Sequence, residues 1–299
     1  MASHWQLSDI PDMTGKTAVI TGGNTGLGFK TGLELARRGA EVVIGSRSGE
    51  NGALAVERLC AELPDAKVRF ATLELTSPKS ISAFSAGILG SFGGVDILYH
   101  NAGLVMHRDH VLTETGRELQ MQINHLGHFA LTCLLMPALL ASENARIVQA
   151  TTVPYHKGEI DFDDFDWRHR AYDNMQSYFD SRLAQLLFAF TLNQKFRQAG
   201  LTARAISMQP GLVNTEGLQK ADFGGCIMKA LAQPLEKGCR THLRCCTDLS
   251  LDGDRFWEPR FAIFGRAVPK PIKAPARDPK TASKLLQLSE ELTGTELLI

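Results

Sequence analysis

Three short stretches of this chain combine residue types whose chemistry converges on a phosphate-bearing ligand. The first is Thr21-Gly22-Gly23-Asn24-Thr25-Gly26-Leu27-Gly28, which follows the apolar run Thr17–Thr21 and opens an amphipathic segment. Glycines let a chain reverse tightly, and they let the backbone N–H groups at a helix start approach an anion. The second is Ser46-Arg47, which closes the next β-branched run. A carboxylate there would accept hydrogen bonds from a ribose, whereas a guanidinium pairs with a 2′-phosphate. The third is Glu74-Leu75, closing a third run, where the carboxylate is placed to accept from an adenine amino group. Each has a plain alternative: a ligand-free turn, a solvated arginine, a surface carboxylate. Their order along the chain favours a dinucleotide site, and Arg47 favours NADP(H) over NAD(H).

The elements that must position these groups follow from periodicity. Short β-branched runs at Thr17–Thr21, Glu41–Gly45, Val68–Leu73, Val95–His100, Arg146–Ala150 and Arg204–Met208 alternate, in the first half, with segments of helical spacing at Gly28–Arg38, Ala53–Leu63 and Ser80–Phe92. That alternation predicts an α/β fold, a Rossmann-like doubly wound parallel sheet covered on both faces. Two long helices are expected through Glu114–Leu140 and Tyr178–Gln198, and a last one in Ala274–Ile299. The polar, aromatic stretch Gly158–Asn174 reads as a surface excursion rimming the substrate site, and residues 211–235 as a mobile lid over it. Residues 1–13 form an N-terminal extension to what is otherwise one domain spanning 1–299.

Composition narrows the function classes. A chain of 299 residues, 44% hydrophobic, can bury one large core. Its 32 basic and 32 acidic side chains cancel, which leaves no broad field for nucleic acid or an anionic membrane and favours a small-molecule partner. No apolar run reaches the length of a membrane span and the N-terminus lacks a signal-peptide layout, so a cytoplasmic protein is expected. The six cysteines are irregularly spaced and read as reduced thiols, with adjacent Cys245 and Cys246 packing a helix. No metal is expected: His125 and His128 lack a companion carboxylate cluster. A long apolar helix face also leaves a homo-oligomer open.

The TGxxxGxG spacing, Asn101-Ala102-Gly103 after the fourth strand, and Tyr178-x-x-x-Arg182 before an LLF helix together resemble the short-chain dehydrogenase/reductase family. The likeness runs from about Thr14 to Gly294 and is strongest to the retinol-dehydrogenase-like branch, through Asn124–Phe129, Ile160–Asp164, Tyr178–Phe188, Pro210-Gly211 and the terminal SEELTG. The resemblance implies a proton-relay tetrad, two of whose members are altered here. Asn124 matches directly and would hold a water and a helix distortion, and Tyr178 matches as the proton carrier. Thr152 stands where the family has serine: it keeps the hydroxyl and adds a methyl group. Arg182 stands where the family has lysine, keeping the charge that favours a phenolate but replacing a point cation with a planar fork. Pro210, Gly211, Val213 and Thr215 match the segment that embraces the nicotinamide carboxamide in this family. His156, close after Thr152, reads as loop structure.

The resemblance therefore implies an NADP(H)-dependent enzyme interconverting an alcohol with a ketone or aldehyde on an apolar small molecule. The paired departures at Thr152 and Arg182 keep open a non-redox use of the same fold, such as cyclisation, dehydration or isomerisation. A catalytically silent dinucleotide-binding protein is the third alternative.

Overall fold

Strand residues that alternate strictly between two buried layers build the centre of the molecule. In β1 (Thr17–Thr21), Val19 joins one apolar cluster while Ala18 and Ile20 join the other. In β2 (Glu41–Ser46), Val43 separates from Val42 and Ile44 in the same way. Both faces of a parallel sheet are covered by crossover helices, so runs of Val and Ile meet apolar partners whichever way they point. The computed structural model describes residues 5–215 and 232–299. Further strands β3 (Val68–Thr72), β4 (Ile97–His100), β5 (Arg146–Ala150) and β6 (Arg204–Met208) match the sequence expectation to within a couple of residues.

Two more strands, β7 (Arg255–Pro259) and β8 (Ala267–Pro271), were not expected. Their sequences, RFWEP and AVPKP, carry prolines and charges, which suit a sheet edge but hide a strand from periodicity. The sheet order is β3-β2-β1-β4-β5-β6-β7-β8, parallel throughout except for β8, which runs antiparallel to β7. The order reverses between β1 and β4. A doubly wound sheet opens a crevice at that switch point, beyond the carboxyl ends of its strands.

Among the described residues the helices are α1 (Gly26–Arg37), α2 (Gly49–Glu62), α3 (Pro78–Ser91), α4 (Leu119–Ala141), α5 (Asn174–Gln198), α6 (Leu235–Thr247) and α7 (Pro279–Thr293). Side chains cap most of their starts. Ser48, Ser77, Asp173 and Asp278 each accept a first-turn N–H, of α2, α3, α5 and α7 respectively. Helices α1 and α6 have no such cap, and at α1 Thr25 makes no capping bond, so the N–H groups of its first turn keep their capacity for an anion.

Three expectations change. Helix α4 starts later than foreseen and contains a π-helical segment, Gln122–Leu126, which turns Asn124 inward. It is also long and apolar enough to cross a membrane, contrary to the reading that no run reaches that length, although 78% of its apolar 18-residue window is buried inside the fold. The Gly158–Asn174 stretch is not a surface excursion throughout. Phe165, Asp166 and Trp167 are buried, and Asp166 accepts from Glu118 N at 2.9 Å while pairing with Arg117 at 2.8 Å. Most of the expected lid, residues 216–231, lies outside the described residues.

Candidate active site

The glycine-rich turn is shaped by close approach. Gly22 has φ +64°, and a β-carbon there would lie 3.0 Å from the backbone of Ala102. Gly26, at φ +57°, has open space around it, with nothing nearer than a Thr215 methyl at 3.9 Å. Gly28 does not face the crevice. It packs α1 against Asn101, whose amide nitrogen a β-carbon would meet at 2.4 Å. Asn101 Nδ2 in turn donates to the carbonyls of Thr21 and Gly22 at 3.0 Å. The Thr21 hydroxyl accepts from the backbone N–H of Asn101 and of Ala102 at 3.0 Å, locking the β1 and β4 turns together.

These turns wall a cleft of about 600 Å³. Gly22, Asn24, Thr25, Gly26 and Leu27 line its floor; Ser46, Arg47, Glu74 and Leu75 line one end. Asn101, Ala102 and Gly103 line it after β4, Tyr178, Arg182 and Pro210 line it beyond, and Thr215 stands against Gly26. Gly211 and Val213 stand one layer behind. Gly211, at φ +81°, packs against the Ile263 carbonyl, and Val213 packs on Gly238 in α6. Arg47 is exposed, and its Nε lies 3.7 Å from Glu74, whose other oxygen accepts from Thr76 N at 3.2 Å.

The catalytic end is built from side chains. Arg182 lies with its guanidinium carbon 5.0 Å from the centre of the Tyr178 ring, both residues being buried. Arg182 Nη1 donates to Gln185 Oε1 at 2.7 Å and to the Ala150 carbonyl at 3.2 Å, while its Nε is buried without a protein partner. A β-carbon on Gly103 would come within 2.7 Å of Nη2, so glycine makes room for the fork. Asn124 does not line the cleft. It acts from behind: its Oδ1 accepts from Leu104 N at 2.8 Å, and its Nδ2 donates to the Leu104 carbonyl at 3.0 Å and to Ser181 Oγ at 2.9 Å.

The expected hydroxyl changes position. Thr152 begins the short 3-10 helix Val153–Lys157, half-buried and outside the cleft lining. Thr151 is the residue that lines the cleft, and its hydroxyl is buried without a partner. Two adjacent threonines on extended backbone point to opposite sides, and a one-residue register difference decides which enters the cavity. His156 is bonded within its own turn, Nδ1 to the Val153 carbonyl at 3.0 Å.

Sequence reasoning missed several lining residues: Thr21, Gly45, Leu104, Val105, Ile123, Thr151 and His242. Position alone flagged Thr21, as the last residue of a strand entering a glycine turn. His242 carried no signal, because α6 approaches from far along the chain. Its Nδ1 is hydrogen-bonded to the Tyr99 hydroxyl, and burial lowers its pKa to about 3. His128 joins both ends of the cleft, bonding Thr21 Oγ1 at 2.9 Å and the Asn124 carbonyl at 3.2 Å. Burial, opposed by that carbonyl and reinforced by the Arg182 charge, lowers its pKa to about 4, so both imidazoles are neutral at pH 7.

Comparison with known proteins accords with this geometry. Residues 16–163 match the family model described as short chain dehydrogenase. Human retinol dehydrogenase 13 is 35% identical over 287 residues, covering 94% of this chain and 86% of its own length. Bovine (Bos taurus) retinol dehydrogenase 12 is 36% identical, covering 94% and 87% respectively. A solved structure of a protein from Mycobacterium paratuberculosis superposes with a TM-score of 0.83 at 34% identity, covering 99% of this chain and all of its own. With the sheet, the glycine turn and the tyrosine–arginine pair in place, the chain belongs to the short-chain dehydrogenase/reductase family, in its retinol-dehydrogenase-like branch.

Proposed function

We propose that the protein is an NADP(H)-dependent oxidoreductase that interconverts an alcohol with a ketone or aldehyde on an apolar small molecule. One observation carries the reading: Tyr178 and Arg182 line the same cleft as the glycine turn, with the guanidinium over the phenol ring. The residues present fit the dinucleotide. Gly22 and Gly26 have the left-handed backbone that brings N–H groups close to a pyrophosphate, and the Thr25 side chain makes no capping bond that would compete for those of α1. At the other end, the buried orphan groups Thr151 Oγ1 and Arg182 Nε offer hydrogen-bonding capacity that the protein itself does not use. Ser46 and Arg47 would meet the adenosine 2′-phosphate, and Glu74 the adenine.

When bound, the cofactor supplies or accepts the hydride. The Tyr178 phenol gives a proton to the substrate oxygen, or takes it, as that transfer occurs. Arg182 places a positive charge over the ring, and Gln185 with the Ala150 carbonyl holds its fork in place. Leu104, Val105 and Ile123 give this end of the cleft an apolar surface, suited to a substrate with little polarity beyond its reacting group. Asn124, clamped to Leu104 and Ser181, fixes the π segment behind the site.

The test is consumption of NADPH against a panel of apolar aldehydes and ketones. Carbonyl-dependent oxidation of NADPH supports the proposal. Products formed without cofactor consumption would favour the non-redox alternative.

A further inference from the structure

A second concavity, of about 430 Å³, lies outside the cofactor cleft and shares no lining residue with it. Trp5 and Phe264 contribute aromatic surface, and Lys237, Arg240, Arg244 and Arg266 contribute four positive charges. Lys237, Arg240 and Arg244 follow at three- and four-residue spacing along α6, so one helix face presents all three. Arg266 comes from the β7–β8 connection, immediately before β8.

Among the described residues no carboxylate lines this pocket. Arg244 is satisfied within the protein: its Nε pairs with Asp248 at 3.1 Å, its Nη1 donates to the Ala267 carbonyl at 3.0 Å, and it stacks on Trp257 at 5.0 Å. Among the described residues, Lys237, Arg240 and Arg266 make no ion pair. In a chain whose charges sum to zero, four cations around one apolar hollow are a local excess that a stable fold does not require. The size falls within the range that encloses a small organic ligand.

We propose that this pocket binds an organic anion: a phosphate or carboxylate attached to a flat apolar body, with the anion held by Lys237, Arg240 and Arg266 and the body against Trp5 and Phe264. The proposal does not depend on the reading of the cofactor cleft. Phosphate oxygens accept several charge-assisted hydrogen bonds at once, and an aromatic body gains from contact with rings and guanidinium planes. The chemistry is shared by a free metabolite and by a lipid headgroup, so the experiment separates the two.

Binding of 1-naphthyl phosphate to the full-length protein is measured by calorimetry, alongside 1-naphthol, in the unmodified protein, in Lys237→Ala/Arg240→Ala and in Arg47→Ala. Both substituted α6 positions are exposed, and circular dichroism confirms that the variants are folded. The expected result is saturable binding of the phosphate, 1-naphthol weaker by about tenfold or more, and a loss of about tenfold in the double variant. Arg47→Ala leaves this site unchanged, which separates it from phosphate binding in the cofactor cleft. Unchanged affinity in the double variant overturns the proposal, as does equal binding of 1-naphthol. Sedimentation with phosphatidylglycerol vesicles that depends on Lys237 and Arg240, without binding of the soluble phosphate, overturns it in favour of a membrane surface.

Discussion

The two ends of the cleft are made of different materials. The end beside α1 is built from backbone: Gly22 and Gly26 in left-handed conformations, an uncapped helix start, and Asn101 bracing the turn through two carbonyls. The end beside α5 is built from side chains: Tyr178, Arg182 and Thr151, held by Gln185, Ala150 and the Asn124 clamp. Backbone construction admits few residue types, because only glycine tolerates those angles and contacts. Side-chain construction admits substitutions that preserve charge or hydroxyl, and the adjacent threonines Thr151 and Thr152 and the fork of Arg182 stand at this end.

The sharpest way to break this comparison is to remove the one group that moves a proton. Tyr178→Phe is expected to lower turnover by about 10²–10⁴-fold, while NADPH affinity, measured by fluorescence titration, stays within about twofold. A comparable loss of NADPH binding would show that the two ends are not separable.

Acid is expected to disturb both ends together, because His128 bonds to Thr21 on one side and to the Asn124 carbonyl on the other. A buried imidazole held neutral binds fewer protons folded than unfolded, so stability is lost as pH falls through its ordinary value of 6.5 toward its depressed one. Burial lowers His125 and His242 to about 3, and His128 to about 4. From about pH 7 to about pH 5, each of the three costs on the order of 2 kcal/mol. Burial raises Asp180 to about 6, so its contribution runs the other way, greatest at acid pH and lost as pH rises. One carboxylate does not offset three imidazoles. Thermal melts across that range should show a steep fall in midpoint, and a flat profile would contradict the neutral buried histidines.

Two glycine substitutions sharpen the contrast. Gly22→Ala places a side chain on left-handed backbone 3.0 Å from Ala102, so it should weaken NADPH binding by about tenfold or more. Gly103→Ala pushes instead on the end of a flexible arginine, 2.7 Å away. It should lower turnover by roughly tenfold with cofactor affinity little changed. Steady-state kinetics with parallel binding titrations distinguish the two patterns.

The smallest effect belongs to Arg47. Its side chain is 81% exposed, so a phosphate contact there is screened by water. Arg47→Ala should reduce the preference for NADPH over NADH by roughly tenfold or less, read from the ratio of the two dissociation constants.

The same contrast explains what the sequence made legible. The six parallel strands and the glycine turn were readable because periodicity and glycine placement are local properties. Strands β7 and β8 were not, since prolines at Pro259, Pro269 and Pro271 mask an edge pair that is specified by its neighbours. Among the expected site residues, Gly28, Asn124, Gly211 and Val213 proved to support the cleft from behind. Thr151 and Thr152 are chemically identical, so only the backbone path out of β5 selects between them. The buried part of 158–174 was hidden by its charge: Asp166 is paired internally with Arg117, and a paired carboxylate looks like a surface one in sequence. His242 required tertiary contact between α6 and β4.

The proposed reaction moves a hydride and a proton between NADP(H) and a carbonyl carbon. It is tested most directly with NADPH deuterated at C4 of the nicotinamide, incubated with each active carbonyl substrate and followed by product mass for the unmodified protein and for Arg182→Lys. One deuterium is expected on the former carbonyl carbon of the alcohol product, with activity retained or raised in the lysine variant, which keeps a cation beside Tyr178. Product formed without label and without cofactor consumption, together with loss of that reaction in Arg182→Lys, would contradict it.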